Sequence, residues 1–174
     1  MSTASPTLAQ LNVLPVPEFT AILGGIYEHS PWVAEQAAAG RPYASLDALH
    51  AAMQAVVTKA DKAVQLAFVR GHPQLTGRLA AQELTASSQD EQRSAGLDRC
   101  SAEQIETLRK LNQDYLDRHG FPFIIAVRGL STNEIIAAMQ ARLGNPGDTE
   151  FATCLEQIGR ITRMRLDKLV GFQG

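Results

Sequence analysis

The clearest pattern in the sequence is an amphipathic helix over residues 101–120. Ser101 and Gln104 have the spacing of a capping box, in which each side chain bonds the backbone amide of the other residue at a helix start. The residues of one helical face follow at intervals of three or four and comprise Ile105, Leu108, Leu111, Asn112 and Tyr115. Gly120 then ends the pattern, because glycine readily takes the left-handed conformation that closes a helix. This stretch is therefore predicted to be a helix and not a strand.

Helix signals of the same kind recur along most of the chain. Further helices are predicted to begin near Pro17, Ser45, Ser131 and Thr149, and another to end near Gly96. By contrast, the first 16 residues mix Ser, Thr, Pro and Ala with little periodicity. With 174 residues, 45% of them hydrophobic, the chain is long enough to bury one core. We therefore predict an all-α fold, a single-domain helical bundle over residues 17–174, preceded by a flexible N-terminal arm over residues 1–16.

Residues 121–127 form a short apolar run, FPFIIAV, that interrupts the helices. Periodicity alone cannot assign so short a run to a strand or to a buried helix. An isolated strand would have no partner in an all-helical fold. We therefore predict a buried extended segment or a tightly packed turn.

The charge balance and the cysteines exclude several classes of function. A net charge of -2 gives no broad basic field, so nucleic acid is not expected as a partner. No stretch approaches the roughly 18 apolar residues of a membrane span, so no membrane association is expected. The two cysteines, Cys100 and Cys154, lack the spacing of a zinc site and are too few for a disulfide scaffold. A reducing cytoplasm and no metal site are predicted.

His72 is the first candidate for chemistry. It lies between Gly71, which ends a predicted helix, and Pro73, which restrains the backbone. Because histidine exchanges protons near neutral pH, it is suited to acid–base catalysis. A surface histidine in a turn is the plainer interpretation and stays open at this point.

A second polar segment contains Ser88, Glu91 and Gln92. Ser88 and Glu91 have the spacing of a capping box, and helix initiation alone would account for both side chains. Gln92 is not explained in this way, and a helix start with such groups also suits an anionic ligand. Capping and ligand binding both remain open from the spacing.

Two further segments each have a structural and a functional interpretation. Arg128 directly follows the apolar run, where its guanidinium could bind a carboxylate or an imide-like ring, although a salt bridge is the commoner use. Residues 28–32, EHSPW, fit a helix end followed by an aromatic core anchor. No Ser-His-Asp order, nucleotide-binding glycine loop or metal-spaced carboxylate pair accompanies them in the required context.

Taken in chain order, these segments resemble one known family. The matching residues are 24–34 (GGIYEHSPWVA), His72-Pro73, Leu75, Leu84-Thr85, Ser88, Glu91-Gln92, 95–97 (AGL), Leu111-Asn112, Tyr115, 120–124 (GFPFI), 126–129 (AVRG), Arg142-Leu143 and Asn145. They are similar to the 2-oxo-4-hydroxy-4-carboxy-5-ureidoimidazoline (OHCU) decarboxylases of urate breakdown. The resemblance extends from Pro17 to Leu169, and no single motif carries it.

The resemblance implies a cytoplasmic, usually homodimeric, all-α enzyme that converts OHCU to (S)-allantoin without a cofactor. By position, His72 matches the catalytic histidine of the family and Glu91 its essential carboxylate. The implied substrate-binding residues are Pro73, Ser88, Gln92, Phe123, Ile124, Ile125 and Arg128. Which of His72 and Glu91 delivers the proton stays open.

Two alternatives to this function remain at the level of sequence. One is a helical interaction module in which His72, Glu91 and Arg128 serve only as caps and a salt bridge. The other is a related decarboxylase or ring-opening enzyme that acts on a different ureido or imidazoline acid. A substrate assay separates both from the first choice.

Overall fold

A computed structural model describes residues 5–75 and 85–171 of the chain. Within these residues it contains helices and no strand, and the prediction of an all-α, single-domain helical fold is confirmed. The helices are α1 (Leu8–Val13), α2 (Val16–Leu23), α3 (Pro31–Ala37), α4 (Leu46–Lys59), α5 (Lys62–Arg70), α6 (Ala86–Ser94), α7 (Ala102–His119), α8 (Thr132–Leu143) and α9 (Gly147–Val170). Short 3-10 helices, Ala38–Gly40 and Leu97–Arg99, follow α3 and α6. None of the described helices is both long and apolar enough to cross a bilayer.

Most predicted helix starts are confirmed by observed caps. The Ser45 side chain accepts a hydrogen bond from the backbone of Ala48 at the start of α4, and Pro17 lies in the first turn of α2. The capping boxes that begin with Ser101 and Ser131 are both complete. Gly120 ends α7 with φ +75°, a conformation that strains any residue with a Cβ atom.

Helix α1 was not predicted. Thr7 and Gln10 form a capping box at its start, and Leu11 is fully buried. Asn12 binds the backbone of Tyr43 through both its amide donor and its carbonyl acceptor. Six residues are too few to produce a visible period, which is why this helix escaped the sequence analysis. The domain boundary near residue 17 stays a prediction.

The chain groups into two compact units, and the first comprises Met1–Gln65 with Gly159–Gly174. Its core includes the fully buried side chains of Leu11, Phe19, Leu23, Leu49, Met53 and Leu166. A buried ion pair joins Arg165 to Glu28 at 2.6 Å, and Arg165 also donates to the carbonyl of Ile26. Because a buried charge is costly without a partner, this pair fixes the turn after α2.

The second unit is Leu66–Ile158, and it contains all the candidate site residues outside the EHSPW motif. Its core includes the buried side chains of Leu108, Tyr115, Phe123, Ile135 and Met139. Residues 121–127 connect α7 to the turn before α8 with neither helix nor strand, and Phe121, Phe123, Ile124 and Val127 are buried in it. The prediction of a buried non-helical segment is confirmed. We call residues 121–127 the connecting segment.

Candidate active site

Helix α6 buries only polar side chains. Ser88, Glu91 and Gln92 are 4%, 8% and 8% exposed, and they occupy one face because they are spaced by three and four residues. A helix ordinarily buries an apolar stripe, since a buried polar group costs free energy unless it is hydrogen-bonded. This face therefore requires polar partners, and Gln92 finds one of them in the carbonyl of Gln74.

The capping interpretation of Ser88 and Glu91 is wrong. Thr85 is the N-cap of α6, and its side chain accepts a hydrogen bond from the backbone N–H of Ser88 at 3.3 Å. Ser88 and Glu91 lie inside the helix, so neither initiates it. The physical reason is that Ser and Glu can stand three residues apart within a helix as well as at its start. Helix initiation thus no longer explains these side chains.

The loop that carries His72 is held against α6 and α7 by two side-chain amides. The Gln92 Nε2 donates to the carbonyl of Gln74 at 3.3 Å. The Asn112 Nδ2 donates to the carbonyl of Leu75 at 2.5 Å, and Asn112 is itself only 5% exposed. These bonds hold the loop at Gln74 and Leu75, which follow His72 by two and three residues. His72 itself is half-buried. The predicted catalytic histidine and the predicted polar face thus belong to one assembly.

The role of Asn112 was missed in the sequence analysis, although a signal was present. Asn112 is a polar residue on the otherwise apolar face of α7. A polar side chain in such a position has to meet a buried partner, and here the partner is a loop carbonyl.

The outcome for Arg128 is mixed. It directly follows the connecting segment as predicted, in a turn where the Leu130 N–H bonds the Val127 carbonyl and Gly129 has φ +84°. Its side chain is exposed. Among the described residues it makes no ion pair, so the salt-bridge interpretation has no support there.

The fourth polar segment, EHSPW, lies in the first unit. Glu28 adopts a left-handed conformation with φ 53° and pairs with Arg165, which the sequence analysis did not foresee. Pro31 begins α3, and the half-buried Trp32 follows it. The preceding helix α2 already ends at Leu23, and Trp32 is not fully buried, so the prediction of a helix end followed by an aromatic core anchor is wrong for this segment, which forms a turn and the start of α3.

A buried charged cluster lies behind the connecting segment, on α7, α8 and α9. The Glu150 carboxylate, fully buried, accepts hydrogen bonds from Arg142 at 2.8 Å, Tyr115 at 2.5 Å and Asn145 at 2.9 Å. Burial favours the neutral carboxyl, but the three donors outweigh it and hold the pKa of Glu150 below its ordinary value. Burial and the bond to Glu150 raise the pKa of Tyr115. Glu150 is therefore a charged acceptor and Tyr115 a neutral donor.

Both cysteines are free and buried. The Cys100 Sγ lies 3.7 Å from the Thr132 hydroxyl, and the Cys154 Sγ lies 3.6 Å from the Tyr115 hydroxyl. Within residues 5–75 and 85–171, no three His, Cys, Asp or Glu side chains are grouped as a metal site would require.

The observed cap leads to a first prediction. Replacing Thr85 with Ala removes the N-cap and is expected to lower the free energy of unfolding by about 1 kcal/mol. Glu91→Gln keeps the shape and hydrogen bonding of a residue inside α6, so we expect its urea midpoint to stay at the wild-type value. Urea denaturation followed by circular dichroism measures both. If the urea midpoint of Glu91→Gln were as low as that of Thr85→Ala, Glu91 would have a structural role in the protein.

Comparison with known proteins gives a consistent set of matches. The family model described as OHCU decarboxylase matches residues 12–167. A 2-oxo-4-hydroxy-4-carboxy-5-ureidoimidazoline decarboxylase of Haloferax volcanii is 44% identical over 92% of this chain and 94% of its own length. The uric acid degradation bifunctional protein PucL of Bacillus subtilis is 39% identical, and the match covers 97% of this chain but 33% of that protein. The crystal structure of an (S)-allantoin synthase superposes with a TM-score of 0.73 at 33% identity, over 95% of this chain and 54% of that one.

Proposed function

The chain belongs to the OHCU decarboxylase family, and on that premise we propose that it decarboxylates OHCU to (S)-allantoin without a cofactor. The observation that carries the proposal is the buried polar face of α6. Gln92 on this face holds the His72 loop, and neither Ser88 nor Glu91 caps the helix. An interaction module needs no such face. An enzyme that binds a small polar acid does.

The chemistry of the substrate explains why side chains would suffice. Loss of carbon dioxide leaves an electron pair on the ring carbon that bore the carboxylate. The neighbouring ring carbon is doubly bonded to nitrogen, so the pair delocalises into that C=N bond and the adjoining ring carbonyl. The ureido-bearing carbon then takes up a proton on one face, while the hydroxyl gives up its proton and becomes a carbonyl. One solvent proton, which ends on the ring nitrogen of the former C=N bond, balances the lost carboxylate charge.

The enzyme thus has to move protons at two neighbouring positions and choose one face of the ring. We assign the proton transfer to His72, which can accept the hydroxyl proton and return a proton to the ring carbon. Glu91 orients His72 or bonds the substrate directly. Its burial supports either role, because a carboxylate in a site with little water interacts strongly with a neighbouring imidazole.

The remaining site residues would bind and orient the substrate. Ser88 and Gln92 fix the ureido arm, and Gln92 is suited to this because its carbonyl oxygen has no hydrogen-bond donor among the described residues. Arg128 approaches the ring or ureido oxygens from its exposed turn. Pro73 and the backbone of the connecting segment line the pocket. Held in this way, the scissile carboxylate can be kept out of the ring plane, where its bonding electrons overlap the C=N bond.

The decisive test generates the unstable substrate in place from urate with urate oxidase and hydroxyisourate hydrolase. Formation of allantoin is then followed by circular dichroism with and without the protein. Spontaneous decay yields racemic allantoin, so a rapid one-handed signal would establish catalysis. No signal from folded protein and verified substrate would refute this function and turn the search to another ureido acid.

A second prediction concerns Arg128. Arg128→Lys keeps the positive charge but loses the planar pair of donors, so we expect KM to rise about tenfold with kcat within about twofold of wild type. The side chain is exposed, so the melting temperature should not change. Steady-state kinetics in the coupled assay measure both constants. An unchanged KM would remove Arg128 from the binding site.

We also propose that the protein acts as a homodimer in the cytoplasm. The family resemblance supports the dimer, and the two buried free cysteines fit a reducing compartment. Light scattering on the purified protein measures its oligomeric state. Fractionation of the source cells measures its location.

A further inference from the structure

Arg142 links the buried charged cluster to the connecting segment. Its Nε and Nη2 atoms donate to Glu150, while its Nη1 donates to the backbone carbonyl of Ile124 at 2.8 Å. The guanidinium also lies 4.3 Å from the centre of the Phe123 ring. Its side chain is 14% exposed, and Glu150 supplies the compensating charge. A rigid planar donor thus holds the middle of the segment.

Other contacts with α9 fall on alternate residues of the same segment. The Ala126 N–H donates to the Gln157 Oε1 at 3.0 Å. The Cys154 Sγ lies 3.9 Å from the Pro122 carbonyl. The Ile124 backbone also forms a hydrogen bond to the Cys154 thiol. Burial raises the pKa of this thiol, and the bond from Ile124 lowers it. The backbones of residues 122, 124 and 126 are therefore all engaged from α8 and α9.

The two residues between them are not engaged in this way. Within the part of the chain that the structure describes, the backbone N–H and C=O groups of Phe123 and Ile125 have no hydrogen-bond partner. In an extended backbone, the polar groups of successive residues point to opposite edges. Contacts at residues 122, 124 and 126 accordingly define one held edge. The groups of Phe123 and Ile125 belong to the other edge.

We propose that Arg142 and Gln157 are positioning residues that fix one edge of the connecting segment so that its opposite edge is presented to the substrate. The presented groups are the N–H and C=O groups of Ile125, because Phe123 is fully buried whereas Ile125 is half-buried. This donor and this acceptor match an acceptor and a donor of a ureido group or of the ring amide beside it. This inference rests on the proposed function, and it narrows the backbone contacts to one residue.

The arrangement explains why a costly charged cluster stands behind the segment. A buried ion pair contributes little net stability compared with apolar residues of the same volume, and its best-attested use is to specify one geometry. Here the specified geometry is that of a backbone without helix or strand. Since no strand lies beside it within residues 5–75 and 85–171, its amides depend on side chains such as those of Arg142 and Gln157.

Gln157 offers the sharper kinetic test, because it touches the segment without belonging to the ion pair. Gln157→Leu removes the acceptor for the Ala126 N–H, whereas Gln157→Glu retains an oxygen at that position. We expect Gln157→Leu to raise KM about tenfold with little change in kcat, and Gln157→Glu to restore KM to within about twofold of wild type. Arg142→Lys, which keeps the charge but not the fork of donors, is expected to raise KM as well.

A merely structural role would lower the melting temperature of Gln157→Leu and leave KM unchanged, and that result would overturn the proposal. The wild-type protein in the same assay separates this failure from failure of the proposed function, because an inactive wild type refutes the function first.

Amide hydrogen exchange by NMR tests the geometry without turnover. In the free protein, we expect the amides of Ile124 and Ala126 to be protected and that of Ile125 to exchange at least about tenfold faster. Saturating (S)-allantoin, the product under the proposed function, should then slow exchange at Ile125. Equal protection of all three amides in the free protein would contradict the proposed edges. Unchanged exchange at Ile125 in the presence of bound product would also contradict them.

Discussion

Replacing His72 with Asn is expected to lower kcat by about two to four orders of magnitude while the protein stays folded. Asparagine keeps a polar side chain of similar size but cannot accept and release a proton near neutral pH. The loop itself is held by bonds to the carbonyls of Gln74 and Leu75, which the substitution leaves in place. The measurement is the initial rate of one-handed allantoin formation in the coupled assay.

The same substitution at His29, an exposed histidine in the first unit, provides the matched control. His29→Asn should retain the wild-type rate. Far-UV circular dichroism and the melting temperature should be unchanged in both variants. A His72→Asn variant that turns over at the wild-type rate would remove His72 from the mechanism.

The double variant His72→Asn/Glu91→Gln separates the two roles left open for Glu91. If Glu91 acts only by orienting His72, removing both groups should cost no more than removing His72 alone. If Glu91 bonds the substrate directly, the two losses should multiply. The rates of the four proteins in this cycle decide between the two roles.

The sequence predicted the helices well where the signals were local. The capping boxes at Ser101 and Ser131 were correct because such a box involves only four consecutive residues. The same local rule failed at Ser88, since the spacing of Ser and Glu does not distinguish a helix start from a helix interior. Only the position of Thr85 in the folded chain settles where α6 begins.

The supporting contacts of the site could not be predicted in this way. Arg142 and Glu150 lie on different helices, and nothing in their spacing indicates a bond. Nor does it indicate that Arg142 reaches the carbonyl of Ile124. The family resemblance supplied the residues that we propose to face the substrate, whereas only the tertiary structure shows which side chains contact the connecting segment. Asn112 was predictable in part. Its place on an apolar helix face indicated a buried partner, but the sequence did not show which group that partner is.

Replacing Glu150 with Ala is expected to lower the free energy of unfolding by about 3–5 kcal/mol. The reason is that the substitution leaves the Arg142 guanidinium largely buried beside no opposite charge, and deprives Tyr115 and Asn145 of their acceptor. Glu150→Gln keeps the volume and one acceptor oxygen, so its loss should be smaller. Urea denaturation with an unchanged m-value measures the difference.

An exposed ion pair in the same unit provides the contrast. Glu106 and Arg109 form a pair on α7 with side chains 65% and 71% exposed, and Glu106→Ala should leave the urea midpoint unchanged. If Glu150→Ala and Glu106→Ala had equally small effects, burial of the Glu150 pair would be energetically unimportant. The positioning argument for Arg142 would then lose its physical basis.

The pH dependence of the Glu150 contribution has a definite sign. The pKa of Glu150 is lower in the folded protein than its ordinary value of 4.5, so in acid the unfolded chain binds a proton that the folded chain resists. The stability that Glu150 contributes is therefore fully present above pH 4.5 and is lost as the pH falls towards the folded pKa. The difference in unfolding free energy between wild type and Glu150→Gln should accordingly shrink below pH 4.5. A difference that stays constant down to pH 3 would mean that folding does not lower the pKa of Glu150.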